Sequence, residues 1–147
     1  MNNFELISIF DSSHEVINMS VNDISHEESL VSPPAGGNSI NWVLGHMIFH
    51  RDVTREILGL EKLYGGSLEQ YARGSGQLQP AKAIEFSRLI EMYNSGHKAL
   101  TEKLKNTDLI PDAEKRETVT TLAFHEAYHV GQVGILRRVI GKEGAIK

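Results

Sequence analysis

The sequence predicts an all-α fold, an antiparallel four-helix bundle with a long connection between its second and third helices, and three observations predict it. Apolar residues recur at intervals of three and four in four segments of roughly 20 residues. Gly, Pro and Asp gather in the breaks between those segments. No stretch alternates apolar and polar residues as a half-buried strand would. Length fits the same picture, because 147 residues make one domain, 1–147, large enough to bury a core without cross-links.

In the first segment Ile7, Phe10, His14, Ile17, Val21 and Ile24 share a stripe, and Ser32-Pro33-Pro34-Ala35-Gly36-Gly37 interrupts it. Asn38 or Ser39 can cap the second helix. That helix carries Val43, His46, His50, Val53 and Ile57 on one stripe and Ile40, Leu44, Met47 and Leu58 beside it, so it is largely buried, and it ends near Gly59. Residues 60–79, with Gly65, Gly66, Gly74 and Gly76, form the long connection, which reads as a crossover, a lid or a mobile segment. Pro80 suits the first turn of a third helix, where Phe86, Ile90, Tyr93, His97, Leu100 and Leu104 repeat at nearly 3.5-residue spacing. A polar break follows through Asn106, Asp108, Pro111 and Asp112. The fourth helix starts around Thr118, runs along Leu122, His125, His129, Gln132 or Val133, and Leu136, and stops near Gly141.

Composition narrows the chemistry. With no cysteine, disulfides, thiolate metal sites and a cysteine nucleophile are excluded, leaving imidazole, carboxylate and water as ligands. Fifteen basic against nineteen acidic residues give a net charge of −4, and without a basic run nucleic acid is not an expected partner. Met1-Asn2-Asn3-Phe4-Glu5 lacks the features of a signal peptide, and no segment has the roughly 20 apolar residues of a membrane span. The chain reads as a cytoplasmic protein that does not engage membranes.

The histidines carry the functional signal. Six of the seven fall on apolar helical stripes; only His26 lies in a polar, exposed stretch. Burying an unsatisfied ring costs on the order of 1–3 kcal/mol, so inward imidazoles need partners. Taken singly, His14 and His97 read as core histidines bonded to a backbone carbonyl. His125 and His129 read differently: four helical residues advance about 6 Å and 400°, which sets both rings on one face, one turn apart, where they can grip a divalent ion. A third ligand is expected from the second helix, and spacing alone leaves His46 and His50 in competition.

Two blocks carry a resemblance. Pro34-Ala35-Gly36-Gly37 followed by Asn38-Ser39-Ile40-Asn41-Trp42-Val43-Leu44-Gly45-His46-Met47 resembles the second-helix signature of the DinB-like superfamily of metal-binding four-helix-bundle proteins. His125-Glu126-Ala127-Tyr128-His129-Val130-Gly131-Gln132, with Leu136-Arg137-Arg138-Val139-Ile140-Gly141 after it, resembles that family's fourth-helix signature. The likeness spans essentially the whole chain, although 60–79 and the third helix match only in general character. It implies a three-histidine metal site made of His46, His125 and His129, with His50 lining the pocket and assisting proton movement. It also implies transfer or isomerisation with a low-molecular-weight thiol of the bacillithiol or mycothiol type, and a homodimer formed through helix faces.

The letters of residues 125–129 also spell HExxH, in which the glutamate of a zinc hydrolase serves as general base. One helix cannot exclude that reading, but Val130-Gly131-Gln132 and Ile135 replace the extended run with a third histidine, and Glu143 is a poor ligand candidate beyond Gly141. Glu126 is therefore expected as an orienting or surface carboxylate. Gly45, Gly131 and Gly134 inside helices suggest close helix contact near the metal. Trp42 is expected at a helix interface or pocket edge, and Arg137-Arg138 against the dipole of the last turn. Two functions follow: a metal-dependent thiol transferase, or a non-catalytic bundle that uses the metal for stability or partner binding. Imidazole ligands suit Zn or Ni best, with Fe or Mn as further candidates.

Overall fold

Caps and glycines decide where periodicity becomes helix. The structure is a computed structural model that describes residues 3–108, 110 and 112–147, and every regular element among them is helical. Helix α1 spans Phe4–Val21, a single turn α2 spans His26–Ser29, α3 spans Ile40–Ile57, α4 spans Phe86–Ser95, α5 spans His97–Lys105 and α6 spans Ala113–Val139. Of the two proposed caps for α3, Ser39 does the work, its hydroxyl accepting from the Trp42 amide at 3.3 Å. Gly59 leaves that helix at φ +76, as its position suggested. Helix α2, which the periodicity did not announce, owes its existence to a capping box in which Ser25 and Glu28 satisfy each other's amides.

Two boundaries differ from expectation. The third predicted helix is two: Pro80–Lys82 forms only a 3₁₀ turn, and Gly96 separates α4 from α5, ending one and starting the other. Leu63 presses on that glycine, where a Cβ would come within 3.0 Å of its Cδ1. The last helix begins at Ala113 rather than Thr118, because Asp112 accepts from the Lys115 amide at 3.1 Å and so starts it in a polar stretch with no apolar stripe. Asp112 thus belongs to α6, while Pro111 of the predicted break, like Met1 and Asn2, lies outside the described residues.

Helix α6 packs against α1 and α3, while α4 and α5 pack against α1, and α4 also against α3. The buried apolar residues fall into two clusters. One gathers Ile17, Val21, Val43, Leu44, Met47, Leu89, Val133 and Leu136; the other gathers Leu6, Phe10, Leu58, Leu100, Leu104, Val119 and Ala123. Along α1, α3, α4–α5 and α6 the change from one cluster to the other falls at His14, Arg51, His97 and Glu126 respectively, so a polar layer crosses the core.

The 60–79 connection is pinned rather than loose. The Asp52 carboxylate accepts from the amides of Leu63, Tyr64 and Gly65 at 2.8, 2.9 and 3.1 Å. A 3₁₀ segment over Gly65–Tyr71 then packs on α3 with Leu68 and Tyr71 fully buried, each contributing roughly 1.5–3 kcal/mol of burial. No helix among the described residues is long and apolar enough to cross a membrane.

Candidate metal centre

Helices α3 and α6 bring four imidazoles together. His46 Nε2 lies 3.3 Å from His125 Nε2, which in turn lies 2.9 Å from His129 Nε2. His50, one turn after His46, stands with its ring centroid 4.4 Å from that of His125. Ligand atoms of His46, His50 and His125 all fall within 4.8 Å of one another, a group that could hold a metal ion.

Hydrogen bonds at the far side of two rings decide which nitrogen is offered. His46 Nδ1 is 2.7 Å from the Tyr71 carbonyl, which can only accept, so Nδ1 carries the proton and Nε2 keeps its lone pair. His129 Nδ1 is 2.6 Å from Gln132 Oε1, whose amide nitrogen donates to Tyr128 at 3.2 Å, and the same conclusion holds for its Nε2. Both lone pairs converge on His125. Ligands bonded at about 2.1 Å to one ion stand about 3.0 Å apart in octahedral and about 3.4 Å apart in tetrahedral geometry; the 3.3 Å separation falls within that range and the 2.9 Å one just below it. His125 Nδ1 and both nitrogens of His50 are buried without a hydrogen-bond partner. The donor set therefore fits a divalent ion. Distance groups His50 with His46 and His125, while Gln132 aims the free nitrogen of His129 at His125.

Electrostatics agree with neutral rings. Burial, and then the neighbouring histidines, push His125 down to about 4 and His50 down to about 3. Burial also lowers His46, against the bond to Tyr71, and lowers His129, against the bond to Gln132. Near neutral pH all four offer lone pairs rather than positive charge.

Glu126, between the two α6 histidines, is not a surface group. It is buried, and its oxygens accept from Arg51 Nε at 2.9 Å, Arg51 Nη2 at 2.6 Å and the Tyr93 hydroxyl at 2.9 Å. Burial works against the guanidinium, but the facing carboxylate outweighs it and keeps Arg51 charged. Engaged in this way, Glu126 serves as the counter-charge of Arg51. Periodicity did not single out Arg51, which is one of several charged residues, with Asp52, Arg55 and Glu56, in the second half of α3.

The remaining inward histidines do something other than bond a carbonyl. His14 and His97 stack face to face at 3.7 Å with 5° between the rings, and His97 Nε2 meets Asp11 Oδ1 at 2.9 Å. Nor is His26 simply exposed, since its Nδ1 accepts from the Phe86 amide at 3.2 Å. Gly45 is explained by Tyr71, not by a helix: a Cβ there would overlap the Tyr71 ring, whose own backbone holds His46. Gly131 and Gly134 meet nothing within 4 Å, so close helix contact does not account for them. Trp42 lies at the pocket edge, stacked on His46 at 4.5 Å. Arg137 and Arg138 stand in the last turn of α6 as expected, and Arg137 is in addition buried and bound to Asp23 and the Ser20 carbonyl.

Above the histidines opens a cleft of about 600 Å³ lined by His46, His125, His129, Trp42, Tyr128, Gln132 and the turn at Arg73–Gly76. That size suits a small molecule. No protein-family model and no curated protein matches the chain.

Proposed function

We propose that the chain is a DinB-like antiparallel bundle working as a metal-dependent transferase of low-molecular-weight thiols, with His46, His125 and His129 as ligands. The observation that carries this reading is the convergence of two oriented Nε2 lone pairs on His125 Nε2 at the floor of an open cleft. Three imidazole ligands leave a divalent ion, Zn or Ni by preference, with positions open to a substrate. Bound there, such an ion supplies Lewis acidity that favours the deprotonated form of a thiol. The protein's own part is to hold the rings through Tyr71 and Gln132 and to present the floor of the cleft; the proton released would leave to solvent through the open cleft, because His50, expected as a pocket-lining proton acceptor, is outside the lining and is pushed down to about 3 by burial.

Elemental analysis of untagged protein tests the ligand set: His46→Ala, His125→Ala and His129→Ala lose the metal, and His50→Ala retains it. Thiol transfer to an electrophile panel should vanish on chelation and return with metal. A metal-loaded sample inert across the panel overturns the transferase.

One observation favours a second reading. If His50, already grouped with His46 and His125, turns inward as a fourth ligand, the coordination sphere closes and the ion stabilises the bundle without catalysis. His50→Ala would then lose metal and melting temperature together. The hydrolase reading has no such support, since Arg51 and Tyr93 occupy Glu126. A homodimer remains part of the proposal, resting on Phe124, Tyr128 and Ile135, exposed at 71%, 56% and 68% along α6.

A further inference from the structure

We propose that the molecule taken by this cleft carries a carboxylate or similarly compact anionic group, and that Arg73 is the residue that reads it. The inference deepens the metal-dependent reading above and rests on it.

Charge around the cleft is one-sided. Arg73 is the one charged side chain among its lining residues, and no Asp or Glu is among them. Three other arginines are paired with carboxylates, Arg51 with Glu126, Arg88 with Glu91 and Arg137 with Asp23, and none of the remaining ones lines the cleft. Arg73 is exposed and forms no ion pair among the described residues. A divalent ion on neutral rings would add more positive charge to the same cavity, so an anionic ligand is drawn to it at both ends.

Position makes Arg73 more than a passing surface charge. It comes two residues after Tyr71, which is fully buried and grips His46 through its carbonyl. The following turn, with Gly74 at φ +79 and Gly76 at φ +80, folds back so that Ser75 Oγ accepts from Trp42 Nε1 at 3.4 Å. Arg73 is thereby tied on both sides to residues that touch the histidines, and its guanidinium fork suits a planar carboxylate.

Trp42, the sole tryptophan, stacks on His46 and so reports occupancy by fluorescence. The zinc-loaded protein is titrated with 3-mercaptopropionate, 2-mercaptoethanol and propionate at low ionic strength, with zinc content checked in every sample. The expected result is at least tenfold tighter binding of 3-mercaptopropionate than of 2-mercaptoethanol, reduced to within about twofold by Arg73→Gln and partly restored by Arg73→Lys. Equal binding of the two thiols, or a preference that survives Arg73→Gln, overturns the role of Arg73 while leaving the metal-dependent site intact. Propionate binding that depends on Arg73 without any thiol binding keeps the anion site and removes the thiol chemistry. Absence of binding by all three probes removes both.

Discussion

At the scale of single residues, the chain surrounds its imidazoles with groups that have one job each. Glu126 is held by Arg51 and Tyr93, so Glu126→Gln leaves a buried guanidinium short of its counter-charge. A loss of about 3 kcal/mol in chemical denaturation, with metal content unchanged, is the expected outcome. A normal stability with abolished hydrolysis would instead restore the peptidase motif. Gly45→Ala pushes a Cβ into the Tyr71 ring and should cost roughly 1–3 kcal/mol while weakening metal affinity through His46. Unaltered affinity in a competition with a chelating dye would show that Tyr71 does not orient the ring. His125 and His129 were open to sequence reasoning because helical spacing puts them on one face, whereas spacing left His46 and His50 in competition and only the resemblance chose His46. Of the groups that fix them, Gln132 lies within helical reach of His129, whereas Tyr71 meets His46 across 25 residues of chain, just as Arg51 meets Glu126 across 75.

At the scale of elements, the decisive contacts hold irregular chain against α3. Asp52 accepts three successive amides at the start of the long connection, and Asp52→Ala would strand those donors. A loss of about 1–3 kcal/mol is expected, with new protease cleavage confined to 60–79. Unchanged cleavage kinetics would mean that Leu68 and Tyr71 suffice as anchors. The helices themselves were visible as stripes; the glycine break at Gly96 and the polar first turns of α6 were not. Both depend on features that a stripe does not encode: a side chain from elsewhere pressing on Gly96, and a cap that starts a helix before its apolar face begins.

At the scale of the whole molecule, burial of neutral histidines couples folding to pH. His14 and His125, held to about 4, and His50, held to about 3, bind fewer protons folded than unfolded below their ordinary value of 6.5. Stability of the metal-free protein is therefore full above pH 6.5 and falls as the pH drops through the window toward 4. Melting curves across that range should show the decline, and a flat profile would mean that the rings are not buried neutral. Added zinc should raise the melting temperature at pH 7 and lose its effect over the same acidic range, because proton and ion compete for the same lone pairs. The all-helical class was readable from composition and period. The polar layer at His14, Arg51, His97 and Glu126 was not, because it emerges only when four separate stripes are laid side by side.

That layer has a kinetic consequence. Arg51 follows His50 directly and Glu126 follows His125 directly, so one bidentate clasp fixes the register of α3 against α6 beside the imidazoles. Sliding either helix by a turn, about 5.4 Å, would break the clasp. A cation arriving at the proposed site would then meet rings already in register, and its capture is expected to be timed by how fast it sheds its hydration water rather than by sliding of the helices.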